Sequence, residues 1–285
     1  MKVEIREARP SDKKPLMDFI KDVWEGHDYI PRVWDGWLRD KGSKMFVVLA
    51  DGLQVGMNRV RFLEDGSAWF EGARVHPQFR GMGLATALGE RSMRVAGRKG
   101  VDVYRLTSGT WNKEAHRQIA RMGFKEAARV SVYVPQEGMR LGPQRGVRRA
   151  GYDDLPEVVR TIRTSREFRL GSGVMWDTFA AKALTRKVIA RALGDGGVYL
   201  ADGALGVAMG GGEGTESWKQ VGFLTGDDKG VVGIVKHFLG LKGKGRTTRR
   251  LVYVPQGSRV IGALRRAGMK RDFSLILFES KAAKG

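Results

Sequence analysis

Apolar and polar positions fall into two patterns along the first 135 residues. Short apolar-rich runs, "VEIREAR" (3–9), "MFVVLA" (45–50), "QVGMNRVRFL" (54–63), "SAWFEGARV" (67–75), "DVYRLTS" (102–108) and "AARVSVYV" (127–134), read as strands. A helical period places Leu16, Phe19, Ile20 and Val23 on one stripe of "SDKKPLMDFIKDVW" (11–24), with Ser11 as its N-cap. Trp34, Trp37 and Leu38 mark a second, short helix over 29–40, and further helices are predicted over about 82–98 and from Asn112 to about Met122. Asp51-Gly52 and Asp65-Gly66 stand between apolar runs, which is a hairpin signal. The predicted order is β-α-α-β-β-β-α-β-α-β.

Residues 135–146, "PQEGMRLGPQRG", hold two prolines and three glycines and read as a boundary, with the linker proper at 137–146. The pattern then restarts. Arg6, Ala8 and Asp12 recur as Arg148, Ala150 and Asp154, a shift of 142 residues. Arg121, Gly123 and Lys125 recur as Arg266, Gly268 and Lys270, a shift of 145, and both sets run into an apolar strand. Two matches in near register predict a tandem repeat of one domain, 1–136 and 147–285; an unrelated second α/β domain is the plainer alternative.

Composition narrows the classes. The 285 residues include no cysteine, which excludes disulfides, thiolate metal sites and a cysteine nucleophile, and which fits a reducing cytoplasm. No apolar run reaches the roughly 18 residues of a membrane span, and the charged start "MKVEIREARPSDKK" has no apolar core of a secretory signal. The net charge of +20 attracts polyanions, although the basic residues are scattered and a general surface bias explains them as well. Their densest run, "LKGKGRTTRR" (241–250), reads as a Gly-rich loop.

The stretch with the clearest chemistry is "VHPQFRGMGLATALGE" (75–90), where a strand gives way to a helix. A helix start offers about four unpaired N–H donors and roughly half a positive charge. Gly81 and Gly83 leave the backbone bare and Arg80 adds a cation, so the corner suits a diphosphate-like anion. An ordinary tight turn would use the same glycines. The P-loop pattern is absent, and the dinucleotide pattern fails at Thr86, where a small residue is required.

Gln78-Phe79-Arg80-Gly81-Met82-Gly83 fits the [QR]-x-x-G-x-[GA] signature of the GCN5-related N-acetyltransferases. The preceding strand, the element order and "NKEAHRQIARMGF" (112–124), with Asn112, Ala115, Gly123 and Phe124, resemble that family too. The resemblance covers about residues 3–134 and implies a mixed α/β (α+β) fold with a largely antiparallel sheet flanked by helices, binding acetyl-coenzyme A and no metal. By that resemblance Ala73, Arg74 and Val75 present the strand edge to the pantetheine arm. Backbone around Gln78, Phe79, Arg80, Gly81, Met82, Gly83, Leu84 and Ala85 cradles the diphosphate, and Asn112 reaches the pantetheine.

Acetyl transfer to an amine needs a base and an acid. Glu71 is the candidate base: counted along an unbroken strand it shares a face with Trp69 and Val75, where Trp and Phe neighbours would desolvate it. A solvated or salt-bridged strand residue is the plainer reading. The family's usual acid, a Tyr seven residues after the Asn, is here Ile119, leaving His116 and Tyr104 as substitutes. His27, Tyr29 and Trp69 are candidate acceptor-site residues, and "WEGHDYIPRVWDGWL" with "EGARV" weakly resembles members that acetylate free amino acids such as histidine. Small-molecule and peptide amines both stay open. In the second half "LTGDDKGVVG" (224–233) occupies the place of the phosphate corner, but Asp227 and Asp228 put negative charge there, so no coenzyme is expected. The alternative class is a non-catalytic module whose basic surface recognises nucleic acid or an acidic protein.

Overall fold

The computed structural model describes residues 1–21, 23, 26, 28–213, 216–242 and 246–282. The chain forms two compact units. The first comprises Met1–Leu106, Asn112–Lys125 and the C-terminal Phe278–Gly285; the second comprises Thr107–Trp111 and Glu126–Leu277. The boundary expected at residue 136 therefore differs from the observed division, because strand pairing, not chain order, decides membership. The last residues return to the first unit, where Ala282 N donates to Asp102 O at 2.9 Å.

In the first unit β1 (Val3–Glu7), α1 (Lys13–Ile20), α2 (Ile30–Arg39), β2 (Ser43–Ala50), β3 (Leu53–Phe62) and β4 (Ala68–Val75) are followed by α3 (Leu84–Arg98), β5 (Val103–Gly109, from Thr107 on in the second unit) and α4 (Lys113–Arg121). The order is the one predicted. β1, β2, β3 and β4 pair antiparallel in sequence, and β4 pairs parallel with β5. One face buries Leu16, Ile20, Ile30 and Trp34 against Val47 and Met57, each worth roughly 1.5–3 kcal/mol on burial. Leu84, Leu88 and Ala96 of α3 are buried as well.

Ser11 is not the cap of α1. A short 3-10 turn, Pro10–Asp12, precedes the helix, and Asp12 occupies the N-cap position of α1 without a side-chain cap bond. Its fully buried carboxylate takes both Arg6 Nη atoms, at 2.7 and 2.8 Å, and the Arg9 N–H at 2.7 Å.

The second unit contains β6 (Lys125–Pro135, from its second residue on), β7 (Arg148–Arg149), α5 (Leu155–Thr164), α6 (Arg166–Leu170), β8 (Val174–Asp177), β9 (Ala180–Ala183), α7 (Arg186–Gly194), β10 (Val198–Ala201), β11 (Ala204–Glu213), β12 (Glu216–Gly226), α8 (Asp228–Gly240), β13 (Arg246–Pro255), α9 (Val260–Arg266) and β14 (Met269–Lys281, whose last residues belong to the first unit). The arginine-aspartate anchor recurs: Arg148 holds Asp154 with two bonds of 2.7 Å, and Asp154 also accepts from Gly151 N at 2.8 Å. Strands 10 to 12 pair antiparallel, and β12 pairs parallel with β13, as β4 does with β5. Gly123 and Gly268, each just past a helix, share a left-handed conformation (φ 80° and 94°). The basic run 241–250, read as a loop, enters β13 at Arg246.

Candidate active site

β4 and β5 pair only through Ala68–Phe70 and Tyr104–Leu106. Beyond Phe70, β4 continues to Val75 without that partner among the described residues. Eight residues then separate Val75 from α3. Gly81 and Gly83 both lie in the left-handed region (φ 80° and 76°), which a β-carbon disfavours. A β-carbon at either would meet nothing within 4 Å, so the backbone here faces open space. Gly83 is the N-cap of α3 and supplies no side-chain cap, nor does the first turn carry an acidic residue. The helix start is thus left with unpaired donors and uncompensated positive dipole.

This corner forms part of a cleft of about 830 Å³. Its walls are Ala73, Arg74 and Val75 of β4, Phe79–Gly81 and Gly83–Thr86 of the corner, Asn112 and the exposed side of α4 with Arg117 and Arg121, and Phe19 and Val23. Arg74 is paired with the buried Asp28 at 2.6 Å, and Arg80, Arg117 and Arg121 against the carboxylate of Glu114 make it a cationic slot. Asn112 caps α4, its Oδ1 accepting from Ala115 N at 3.1 Å, which leaves its amide hydrogens as what it can offer a ligand. Arg80 folds back, its Nε 3.4 Å from Val75 O, and its own N–H is engaged by Pro77 O. The N–H groups of Gln78 and Phe79 are likewise taken by His76, so the available donors of the corner begin at Gly81.

Several sequence expectations place differently. Gln78 and Met82 are not on the cleft wall, although Ala73, Arg74, Val75, Phe79, Arg80, Gly81, Gly83, Leu84, Ala85 and Asn112 are. Glu71 and Val75 do not share a face. Arg59 stands opposite Glu71, Met57 opposite Arg74, and Gly56 opposite Val75, so Gly72 and Ala73 together face the single residue Asn58. This bulge, with Gly72 at φ 68°, turns Val75 to the other side. Gly72 is required twice over, since a β-carbon there would also sit 2.7 Å from the Trp37 ring.

Glu71 is an ion-pair member. Its Oε1 accepts from Arg59 Nη1 at 2.7 Å and lies 3.3 Å from Arg61 Nε. Arg59 is nearly buried, and burial lowers its pKa while Glu71 and Asp40 support its charge. It also donates to Ser43 and stacks over Trp37 at 4.6 Å. His116 turns from the cleft to Phe278, with ring centroids 5.3 Å apart. Tyr104 packs edge-on to Phe70, and burial raises its hydroxyl pKa. Trp69 is buried. Tyr29 packs against Trp37 and beneath Arg74, and burial pushes its hydroxyl up to about 12. Neither Trp69 nor Tyr29 lines the cleft. His27, and Trp24 beside it, lie outside the described residues.

The sequence reading missed Arg117, Arg121 and Glu114, which line the slot from α4. The signal was present: 114, 117, 118 and 121 fall on one helical face beginning next to Asn112.

Residues 8–124 match the acetyltransferase (GNAT) family model. Histidine N-acetyltransferases of Oreochromis niloticus and Scomber australasicus are 32% and 29% identical to this chain over 82 residues. That stretch is 28% of this chain and 24% of each relative, so the match spans about a quarter of their length. Among solved structures, a GCN5-related N-acetyltransferase from Sphaerobacter thermophilus superposes with a TM-score of 0.62 at 16% identity, covering 98% of this chain and 95% of that one. A Thermoplasma acidophilum chain gives 0.60 at 18% identity, covering 98% and 100%. Residues 8–124 thus carry the GNAT acetyltransferase family pattern, and the fold is shared over nearly the whole chain.

Proposed function

We propose that the first unit transfers an acetyl group from acetyl-coenzyme A to a primary amine, by direct attack while both are bound. The observation that carries this is the uncapped start of α3, where Gly81 and Gly83 expose backbone donors to a slot lined by arginines. N–H groups from Gly81 to Ala85 would hold the diphosphate, and the β4 edge at Ala73–Val75 with the Asn112 amide would align the pantetheine arm. The coenzyme supplies the activated thioester. Direct attack fits a chain without cysteine, which has no thiol to carry the acetyl group. The relatives' names favour a free amino acid, histidine among them, as the acceptor.

Glu71 is engaged by the Arg59 and Arg61 guanidinium groups and lies on the opposite face of β4 from Val75. The amine therefore enters attack as the free base rather than losing its proton to Glu71. The test is thiol release from acetyl-coenzyme A across a panel of amino acids and peptide amines. kcat/KM is expected to rise with pH toward the acceptor's own pKa, and Glu71→Gln to lower stability while keeping that profile's shape. A profile that loses its ionisation in Glu71→Gln restores Glu71 as the base. No turnover with any amine, together with salt-sensitive nucleic-acid binding, would replace the enzyme by a basic binding module.

A further inference from the structure

One wall of the coenzyme slot is a helix with little to hold it in place. Glu114, Arg117 and Arg121 line the slot from α4. Yet among the nine described residues of α4, Ile119 alone is buried. A helix this short is marginal without tertiary packing, so what lies beneath it decides where its outer side stands.

Part of that support comes from the far end of the chain. Phe278 belongs to the portion of β14 that joins the first unit. It is buried, and its ring lies 5.3 Å from that of His116 on α4. Two residues on, Ser280 Oγ lies 3.9 Å from where a β-carbon on Gly123 would stand, just past the end of the helix. Alternate residues of a strand share a face, so Phe278 and Ser280 together underlie α4. Glu279, between them, turns to the other face. There it accepts from Arg105 Nε at 2.9 Å, and the same guanidinium, nearly buried, donates to Asp65 at 2.8 Å. The Ala282 N–H adds a bond of 2.9 Å to Asp102 O, just before β5. These two anchors fix the register of the segment, and a slip of one residue would turn Phe278 away from α4.

We propose that Phe278 is a positioning residue for acetyl transfer: its ring, held in register by the Glu279–Arg105 pair, seats α4 and so sets Arg117 and Arg121 against the coenzyme. Phe278 is not on the slot wall and acts through the helix. The inference rests on the reading that the slot holds acetyl-coenzyme A.

The test compares the full chain with Phe278→Ala, Phe278→Leu, His116→Ala and Val47→Ala, the last a truncation in the core cluster under α1 and α2. Hydrogen exchange without ligand is expected to speed up at the α4 amides of Phe278→Ala, and to keep its wild-type rate there in Val47→Ala. Calorimetric affinity for coenzyme A, and the KM for acetyl-coenzyme A, are expected to weaken about tenfold in Phe278→Ala, with kcat within about twofold of wild type. Phe278→Leu, which keeps an apolar side chain under the helix, is expected to recover most of that loss. His116→Ala removes the other half of the contact and is expected to weaken affinity in the same direction, which keeps the test open where Phe278→Ala does not fold. The inference is overturned if both alanine variants keep wild-type affinity and α4 exchange, if Val47→Ala weakens the coenzyme as much, or if the whole loss falls on kcat. A wild-type chain that binds no coenzyme A removes the slot reading and this inference with it, whereas binding that survives Phe278→Ala and His116→Ala unchanged removes the inference alone.

Discussion

The two units turn the same corner in opposite ways. In the first, β4 gives way to α3 through eight residues, two of them left-handed glycines over open space, and the helix starts without a side-chain cap. In the second, Asp227 alone separates β12 from α8, and its own carboxylate accepts from Gly230 N at 2.7 Å. Asp228 adds a second negative charge in the first turn. Next to it, Glu167 of α6, 5% exposed, accepts from Thr225 at the end of β12 and from Ser258 just before α9, at 2.7 and 2.8 Å. One unit thus leaves its helix start open, and the other satisfies it internally. The difference is made by a loop deletion and two carboxylates, not by the sheet.

The anchors of the two units differ as strongly, and give the largest expected effect. Arg6–Asp12 is enclosed, with the aspartate fully buried, whereas Arg148–Asp154 leaves its arginine 58% exposed. Asp12→Asn leaves Arg6 without its counter-charge in a mostly closed site, and is expected to cost about 3 kcal/mol in chemical denaturation. Asp154→Asn, in water, is expected to shift the midpoint barely at all. Equal losses would show that the copies share more than their geometry.

Next in size is the corner itself. Gly83→Val forces a β-branched residue to φ 76° and puts its side chain over the helix donors. Coenzyme A affinity is expected to fall by about a hundredfold, roughly 2.7 kcal/mol. The reciprocal change, Asp227→Ala, removes a cap worth about 1 kcal/mol of stability and is expected to leave the stoichiometry of coenzyme binding at one, because a single residue still separates β12 from α8 and leaves no open loop for a diphosphate. Calorimetry on both variants reads the two numbers together. A second bound coenzyme in Asp227→Ala would mean that charge alone distinguishes the copies.

Much of this was legible in the sequence, for physical reasons. The element order follows from periodicity, and the repeated Arg-x-Ala-x-x-x-Asp spacing marks an anchor that both copies form. The glycine corner is readable because only glycine tolerates its backbone. The Gly72 bulge was not, since one extra residue inverts every face after it and leaves no mark on an alternating pattern. That inversion undid the pairing of Glu71 with Val75. Nor could chain order show that the end of β14 joins the first unit. The carboxylates of Glu71 and Glu167 look alike as letters, and only their partners, two guanidinium groups against two hydroxyls, separate them.

The smallest expected effect concerns pH, and it sharpens the contrast between the anchors. For Asp12, burial pushes the carboxyl pKa up, but the Arg6 guanidinium, the Arg9 N–H and the Gln54 amide outweigh it and hold it below the usual value of 3.8. For Asp154 the Arg148 guanidinium and the Gly151 N–H bring it to about 2. Both folded values lie below the unfolded one, so each contribution is fully present above about pH 4 and is lost as pH falls through the folded value. The gap in denaturation midpoint between wild type and Asp154→Asn should therefore be small at pH 7, close between about pH 4 and pH 2, and shrink with added salt. The Asp12→Asn gap should close in the same direction from a far larger starting value and resist salt, because its aspartate is shielded from solvent. If the Asp154→Asn gap instead widens as pH falls, the exposed anchor is not held by its charge, and the hydrogen bond to Gly151 N is what fixes the turn before α5.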